Sequence, residues 1–139
     1  MKVLKFAMLA SFLGIVFSGC TLYEDGPLFS VLPKKNRIDN IWVADRVTSA
    51  DGTNVTNDYN DWTWTFTSDG DATIEYYFLG AKIVGNGTWN LIDDDQIFQL
   101  IIEGGWFGDS IAEYEILRLA ENEFWVVAED GTEFHLEPK

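Results

Sequence analysis

From residue 40 onward, the chain alternates between apolar and polar side chains. Trp62, Trp64 and Phe66 are separated by threonines, and Ile74 and Tyr76 are separated by a glutamate. Successive side chains of a β-strand point to opposite faces of a sheet, so this period of two predicts strands with one buried and one solvated face. No stretch after residue 40 has the spacing of a helix of useful length. The sequence therefore predicts an all-β fold here.

Turn residues divide this part of the chain into eight or nine short segments. Asp-Gly pairs at Asp69-Gly70 and Asp130-Gly131 are typical of tight turns. The connections are short, which favours an up-and-down antiparallel β-barrel over a Greek key. The predicted strands span residues 41–48, 62–67, 72–79, 83–84, 87–92, 96–103, 111–119, 124–128 and 132–136.

The apolar faces of these strands are rich in aromatic rings. A narrow barrel filled by such rings has room for a small apolar ligand at most. A single helical turn between Pro33 and Asp39 is expected to plug one end. The rings expected to fill the barrel are Trp42, Trp62, Trp64, Phe66, Trp89 and Trp125. The interior residues expected to contact a ligand are Trp62, Trp64, Phe66, Tyr76 and Trp89.

Residues 1–19 have the layout of a secretory signal peptide. Lys2 and Lys5 give a positive start, an apolar run covers residues 6–17, and small residues precede Cys20. The run is shorter than the about 20 residues that a helix needs to cross a bilayer. This disfavours a permanent transmembrane helix, and residues 1–19 are predicted to be a signal peptide.

The segment Phe17-Ser18-Gly19-Cys20 resembles a bacterial lipobox, with Phe17 in the place of the usual leucine. The resemblance implies diacylglycerol on the thiol of Cys20, cleavage before this residue and acylation of the new amine. Each buried methylene contributes about 0.8 kcal/mol, so several chains on one residue would anchor the protein stably in a bilayer. An unmodified cysteine is the alternative.

Acidic residues follow the lipobox closely. Glu24 and Asp25 resemble the export signal of Bacteroidota-type lipoproteins, which would place the protein on the outer face of the outer membrane. A solvated start to a linker is the alternative, with the protein then facing the periplasm. Residues 20–39 are interpreted as a lipidated tether that precedes a barrel domain at residues 40–139.

The chain is strongly acidic, with a formal net charge of −14 at pH 7. This charge repels nucleic-acid phosphates, so nucleic-acid binding is disfavoured. The same charge keeps a crowded surface protein soluble. One cysteine allows no disulfide within the monomer, so burial and strand pairing must hold the fold.

Several segments resemble the lipocalin-like domains of small bacterial lipoproteins. The resemblance covers the chain from about residue 40 to the C-terminus, and Asn40 stands where lipocalins have the glycine of a Gly-x-Trp motif. It implies an up-and-down barrel of about eight strands and brings no catalytic residues. The segments are Asn40-Ile41-Trp42, Thr65-Phe66-Thr67-Ser68-Asp69-Gly70, Asn86-Gly87-Thr88-Trp89-Asn90-Leu91, Tyr114-Glu115-Ile116-Leu117-Arg118-Leu119 and Glu123-Phe124-Trp125-Val126-Val127.

Residue types used in catalysis and in zinc binding are scarce. With Cys20 acylated and His135 the one histidine of the chain, neither a Cys-His pair nor a zinc site can form. His135 is expected to point outward into solvent. Carboxylates are plentiful, so a hydrolase with paired acids is compatible with the composition. The prediction is nevertheless a non-catalytic protein without a cofactor.

The loop from Ala50 to Asp61 is rich in side-chain oxygens, which are the ligands that calcium prefers. The loop lacks EF-hand spacing, and Asn and Asp are common in turns for conformational reasons. A solvated turn is therefore favoured over a calcium site. The candidate calcium ligands are Asp51, Asn57, Asp58 and Asp61.

Trp106 and Phe107 lie between glycines in a predicted loop. Exposed rings mark interfaces with proteins or glycans, and Tyr77 and Leu79 would extend the same surface. A loop folded over the barrel mouth is the alternative. The sequence thus supports two functions for a membrane-anchored lipoprotein. One is binding of a small apolar ligand inside the barrel, and the other is contact with a protein or glycan partner through the loops.

Overall fold

The computed structural model describes Tyr23 and residues 31–105 and 108–139. Within these residues, a short helix precedes eight strands, and a 3₁₀ turn at Thr56–Tyr59 lies between the first two strands. The elements are α1 (Lys34–Ile38), β1 (Asn40–Thr48), β2 (Thr63–Phe66), β3 (Asp71–Phe78), β4 (Ala81–Ile92), β5 (Ile97–Gly105), β6 (Gly108–Leu119), β7 (Phe124–Ala128) and β8 (Glu133–Pro138).

Each strand pairs antiparallel with the next, and β8 pairs with β1 to close the barrel. This confirms the predicted up-and-down barrel. β4 is one continuous strand where the sequence predicts two segments. Its interior glycines look like a break in the sequence, but Gly85 pairs with Ile74 and Gly87 pairs with Ala72 in an unbroken ladder.

The hydrophobic core depends on β-bulges as well as on strict alternation. Trp42 and Val47 are both fully buried although an odd number of positions separates them. The register of β1 against β8 shifts between Ala44 and Arg46, so one extra residue returns the later part of β1 to the same face. A second shift lies in β6 where it pairs with β7. Both shifts keep large apolar side chains inside the barrel.

Helix α1 closes one end of the barrel. It lies where the sequence predicts a helical turn, between residues 33 and 39. Ile38 is fully buried, and the indole Nε1 of Trp42 donates a hydrogen bond to the Ile38 carbonyl at 2.9 Å. Arg37 donates to the carbonyl of Leu119 at 2.8 Å and to that of Leu32 at 2.9 Å. The helix is therefore fixed to β6 by hydrogen bonds and to the core by burial.

Tyr23 packs into the same core, although it belongs to the predicted tether. Its side chain is 5% exposed, and the ammonium of Lys34 lies 5.1 Å from the centre of its ring. Burial raises the pKa of the Tyr23 phenol well above its usual range. Two parts of the predicted tether, Tyr23 and α1, are thus held against the barrel.

The prediction that Trp125 fills the barrel is wrong. Phe124 and Val126 are the buried residues of β7, and Trp125 lies on the outer face between them. Its ring stacks on that of His135, and the guanidinium of Arg118 lies 5.4 Å from the indole centre. β7 is apolar on both faces, so its pattern does not distinguish them. His135 points outward as expected, but it packs against Trp125.

Candidate functional site

The two ends of the barrel differ. The β2–β3, β4–β5 and β6–β7 connections lie at the end that α1 covers, here called the closed end. The β1–β2, β3–β4, β5–β6 and β7–β8 connections lie at the opposite end, here called the open end. In an up-and-down barrel, alternate connections must fall at alternate ends. The long β1–β2 connection therefore borders the open end.

A cavity of about 190 Å³ lies inside the barrel toward the open end. Eight of its twelve lining side chains are aromatic, the other four are aliphatic, and none is charged. Strand alternation brings most of them to the inner face. The lining residues are Tyr59, Trp62, Trp64, Phe66, Ile74, Phe98, Leu100, Tyr114, Phe124, Val126, Phe134 and Leu136.

Exposure increases along the cavity from its deep part to its mouth. Phe66, Phe98 and Phe124 are buried, and they contact one another edge to face with centroids 5.0 to 6.4 Å apart. Tyr59 and Trp62 are half-buried at the open end. The deep wall is therefore part of the core, whereas the mouth is reached from solvent.

The aromatic rings at the mouth support one another. Trp62 stacks on Tyr76 with centroids 4.4 Å apart and planes 9° apart, and it also stacks on Trp64 at 5.6 Å. Tyr59 and Phe134 meet edge to face, with centroids 5.1 Å apart. Such offset and edge-on pairs add about 0.5–1.5 kcal/mol each beyond the area that they bury. These contacts hold the walls of the mouth in place before any ligand arrives.

The structure separates the five predicted ligand-contacting residues. Trp62, Trp64 and Phe66 line the cavity. Tyr76 lies beside the mouth, where it supports Trp62. Trp89 is buried nearer the closed end, and its indole Nε1 donates to a backbone carbonyl of the β2–β3 turn at 2.9 Å. Trp89 is thus a core residue, and its indole N–H already has a hydrogen-bond partner within the protein.

Several lining residues are absent from the predicted set. Phe98 and Tyr114 are direct cross-strand partners on β5 and β6, and both occupy the apolar positions of an alternating pattern. That pattern was sufficient to predict that both side chains face the barrel interior. Phe134 comes from the same kind of pattern on β8. Tyr59 belongs to the β1–β2 connection, where no periodicity indicates that a side chain points inward.

The mouth combines neutral phenols with charged carboxylates. Burial raises the pKa of Tyr114, with Tyr59 and Asp130 adding to the shift. Burial likewise raises the pKa of Tyr59, and the carboxylates of Asp130 and Asp58 add to it. The backbone amide of Thr132 donates to Asp130 at 2.9 Å and helps to lower the pKa of that carboxyl. At neutral pH the phenols therefore carry no charge, and Asp130 is negative.

Two of the four candidate calcium ligands, Asp51 and Asn57, accept hydrogen bonds within their own loop. Asp51 accepts hydrogen bonds from the Ser49 hydroxyl and from the Thr53 amide, which lower its pKa to about 2. Asn57 accepts from Asn60 at 3.4 Å. Among the described residues, no three or more His, Cys, Asp or Glu side chains are grouped to hold a metal ion. The structure therefore does not bring together Asp51, Asp58 and Asp61.

The remaining candidates lie at the surface or outside the described residues. Tyr77 and Leu79 are 55% and 93% exposed at the β3–β4 turn, as the sequence predicts. The signal peptide, Cys20, Trp106 and Phe107 lie outside the residues that the structure describes. In the part that it does describe, no helix has the length and apolar character needed to span a membrane.

Comparison with solved structures identifies the fold. A lipocalin-like protein from Bacteroides uniformis superposes with a TM-score of 0.63 at 14% identity, over 74% of this chain and 99% of that one. This chain has a lipocalin-like fold. An uncharacterized protein from Bacteroides eggerthii gives a TM-score of 0.56 at 12% identity, over 72% of this chain and 98% of that one. No family model and no curated protein matches the sequence.

A redesigned β-barrel is also similar to this lipocalin-like chain, with a TM-score of 0.50 at 15% identity over 80% of this chain and 99% of the designed one. At these identities the comparisons establish the barrel fold alone. The properties of the cavity therefore follow from the residues that line it. Those residues give an uncharged aromatic chamber with acidic connections at its mouth.

Proposed function

We propose that this protein is a non-catalytic lipoprotein whose lipocalin-like barrel binds a small apolar group in its cavity. The observation that carries the proposal is the aromatic cavity of about 190 Å³. An apolar cavity of about 150 Å³ holds benzene, so this one accommodates a single ring with a short substituent. Sites for drug-sized ligands are about 300–1,000 Å³, which disfavours a long acyl chain as the ligand.

The chemistry of the lining favours binding over catalysis. Its side-chain polar atoms are the hydroxyls of Tyr59 and Tyr114 and the indole nitrogens of Trp62 and Trp64. A tyrosine phenol is already protonated at neutral pH, and burial raises the pKa of both phenols further, so they donate and accept hydrogen bonds without acting as bases. These groups suit the orientation of a bound molecule.

The anchoring part of the proposal rests on the lipobox-like segment that ends at Cys20. Tyr23 is buried against the closed end, and three extended residues span at most about 10 Å. An acylated Cys20 would therefore hold the closed end close to the bilayer, with the open end facing away from it. The location that we propose is the outer membrane, on its outer face or, alternatively, on its periplasmic face.

The binding proposal is tested with full-length protein in lipid nanodiscs, by calorimetric titration with 2-phenylethanol and subtraction of empty discs. Val126 lines the cavity, whereas its neighbour Val127 faces outward on the same strand. We expect saturable binding that Val126→Phe weakens at least about tenfold, because the new ring occupies a cavity that holds one ring. Val127→Phe is the matched control and should bind normally. Equal binding by both variants, or no binding by the parent protein, would contradict the proposal.

The anchor is tested by cell fractionation. Cys20→Ala should release the protein from the membrane fraction, because the acylated thiol is lost. Ser18→Ala keeps a small residue before the cysteine and should remain in the membrane fraction. Continued membrane association of Cys20→Ala would refute lipid attachment.

A second candidate function, contact with a partner protein or glycan, is favoured by the exposed tip of the β3–β4 hairpin. Tyr77, Phe78 and Leu79 are 55%, 56% and 93% exposed. Exposed apolar clusters of this kind mark interaction surfaces. A photoreactive residue in place of Leu79 should crosslink a partner in intact cells, whereas one in place of Asp69 at the closed end should not. If neither position gives a crosslinked product, this function is excluded for the hairpin.

A further inference from the structure

The connections around the cavity mouth carry negative charge. Asp58 lies in the β1–β2 connection, and Asp130 lies in the turn between β7 and β8. These two connections meet, since a Cβ added to Gly131 would stand 2.9 Å from the Cβ of Ala50. Asp58 directly precedes Tyr59, which lines the cavity, and Asp130 directly precedes Gly131 at the place where the two connections meet. Both carboxylates also add to the raised pKa of the Tyr59 phenol. The negative charge is therefore next to the mouth.

The described basic residues lie mostly elsewhere. Lys82 lies beside the open end and is paired with Glu75 at 2.8 Å. Arg46 and Arg118 project from the outer wall, where Arg46 is the cross-strand partner of His135 and Arg118 lies over Trp125. The described basic residues at the closed end are Lys34, Lys35, Arg37 and Lys139.

The aromatic rings at the mouth favour a positively charged ligand, as the nearby carboxylates do. The face of an aromatic ring is electrostatically negative, and a cation held over it gains about 0.5–2 kcal/mol. Tyr59 and Trp62 are half-buried here and in tilted contact with each other, and Tyr76 stacks on Trp62. A carboxylate in the same place would meet ring faces and the charges of Asp58 and Asp130.

We propose that the ligand is a small organic cation, with an ammonium group at the mouth near Tyr59, Trp62, Asp58 and Asp130 and an aryl or short alkyl group in the cavity. The charge stays at the mouth because burying an ion in an apolar chamber is costly. This inference rests on the proposed ligand-binding function and adds the charge class of the ligand.

Three probes that share one phenylethyl skeleton test the inference, namely 2-phenylethylammonium, 2-phenylethanol and 3-phenylpropanoate. Each is titrated calorimetrically into full-length protein in nanodiscs of zwitterionic lipid, with empty discs subtracted. We expect the ammonium to bind about tenfold more tightly than the alcohol and the carboxylate to bind more weakly than the alcohol. Added salt should reduce the preference, because it screens exposed charges.

Two carboxylate variants separate the local effect from the net charge of the protein. Asp130→Asn keeps an oxygen that accepts the hydrogen bond from Thr132, and it should weaken ammonium binding about threefold and alcohol binding by clearly less than that. Asp69→Asn changes the net charge equally at the exposed β2–β3 turn of the closed end, and it should leave both affinities unchanged.

The outcomes distinguish this inference from the proposed function. If the alcohol binds in the cavity and the ammonium binds no more tightly, the cation inference fails and the binding function stands. If none of the three probes binds, both fail. If Asp69→Asn weakens ammonium binding as much as Asp130→Asn does, the preference reflects net charge, and the assignment of the ammonium to the mouth is overturned.

Discussion

Trp125 and His135 lie face to face on the outside of the barrel, with ring centroids 4.0 Å apart and planes 3° apart. They are cross-strand partners on β7 and β8. The imidazole Nε2 also contacts the Glu133 carboxylate at 2.5 Å, and Arg118 covers the indole. The ring that the sequence assigns to the barrel interior is therefore the centre of an outer-face cluster.

This position predicts a modest contribution of Trp125 to stability. Trp125→Ala should lower the free energy of unfolding by about 1 kcal/mol, because it removes a surface stack without leaving a cavity. Trp42→Ala, in the fully buried core, should cost about 3–5 kcal/mol. Urea denaturation followed by circular dichroism measures both. Equal costs for the two variants would mean that Trp125 is a core residue.

Two glycines of β4 differ in how closely the neighbouring strand approaches. A Cβ on Gly87 would stand 1.8 Å from the backbone oxygen of Ile101, whereas a Cβ on Gly85 would meet only a side-chain methyl of Ile102, at 3.0 Å. Gly87→Ala should cost about 3 kcal/mol or more, because β4 and β5 must separate. Gly85→Ala should cost about 1 kcal/mol. Thermal denaturation of the two variants checks the order, and a larger loss for Gly85→Ala would contradict it.

The raised pKa of the Tyr114 phenol predicts that the protein loses stability in alkaline solution. Burial raises its folded-state pKa above the unfolded value of 10.0, so the unfolded chain loses the phenol proton first as pH rises. The contribution of the buried Tyr114 phenol to the free energy of unfolding is complete below about pH 10 and is lost as pH rises through the folded-state pKa. The free energy of unfolding should therefore fall more steeply above this pH in the parent protein than in Tyr114→Phe. Tyr77→Phe, on the exposed outer face, is the control for loss of a hydroxyl, and a slope for Tyr114→Phe equal to that of the parent would refute the prediction.

The tip of the β3–β4 hairpin is conformationally strained. Leu79 has a φ of 49° and is followed by Gly80 at 80°, so both residues of the two-residue loop are left-handed. Asn is favoured in this position and leucine is not. Leu79→Asn should stabilise the protein by about 0.5–1 kcal/mol, measured by thermal denaturation. Leu79→Ala keeps the strain and should give no gain, so equal stability of the two variants would argue against strain at this residue.

Local rules were sufficient for much of the fold. Alternation and turn residues predicted the up-and-down barrel and the placement of Trp62, Trp64 and Phe66 on one inner face. A helical turn was expected between residues 33 and 39, where α1 lies. The shared face of the three rings depends only on neighbours in the chain, because side-chain direction in a strand repeats every two residues. The up-and-down order depends on the short connections between consecutive strands. The Asp-Gly turns are equally local.

The sequence by itself determined the strand period, the up-and-down connectivity and the aromatic character of the interior. Only the tertiary structure decided that Trp125 lies outside, that bulges bring Trp42 and Val47 to one face, and that Tyr59 from a connection lines the cavity. It also brought the turn that contains Asp130 against the β1–β2 connection at the mouth. These features depend on contacts between segments distant in sequence, and a pattern that repeats every two residues carries no information about which strands and connections meet when the barrel closes.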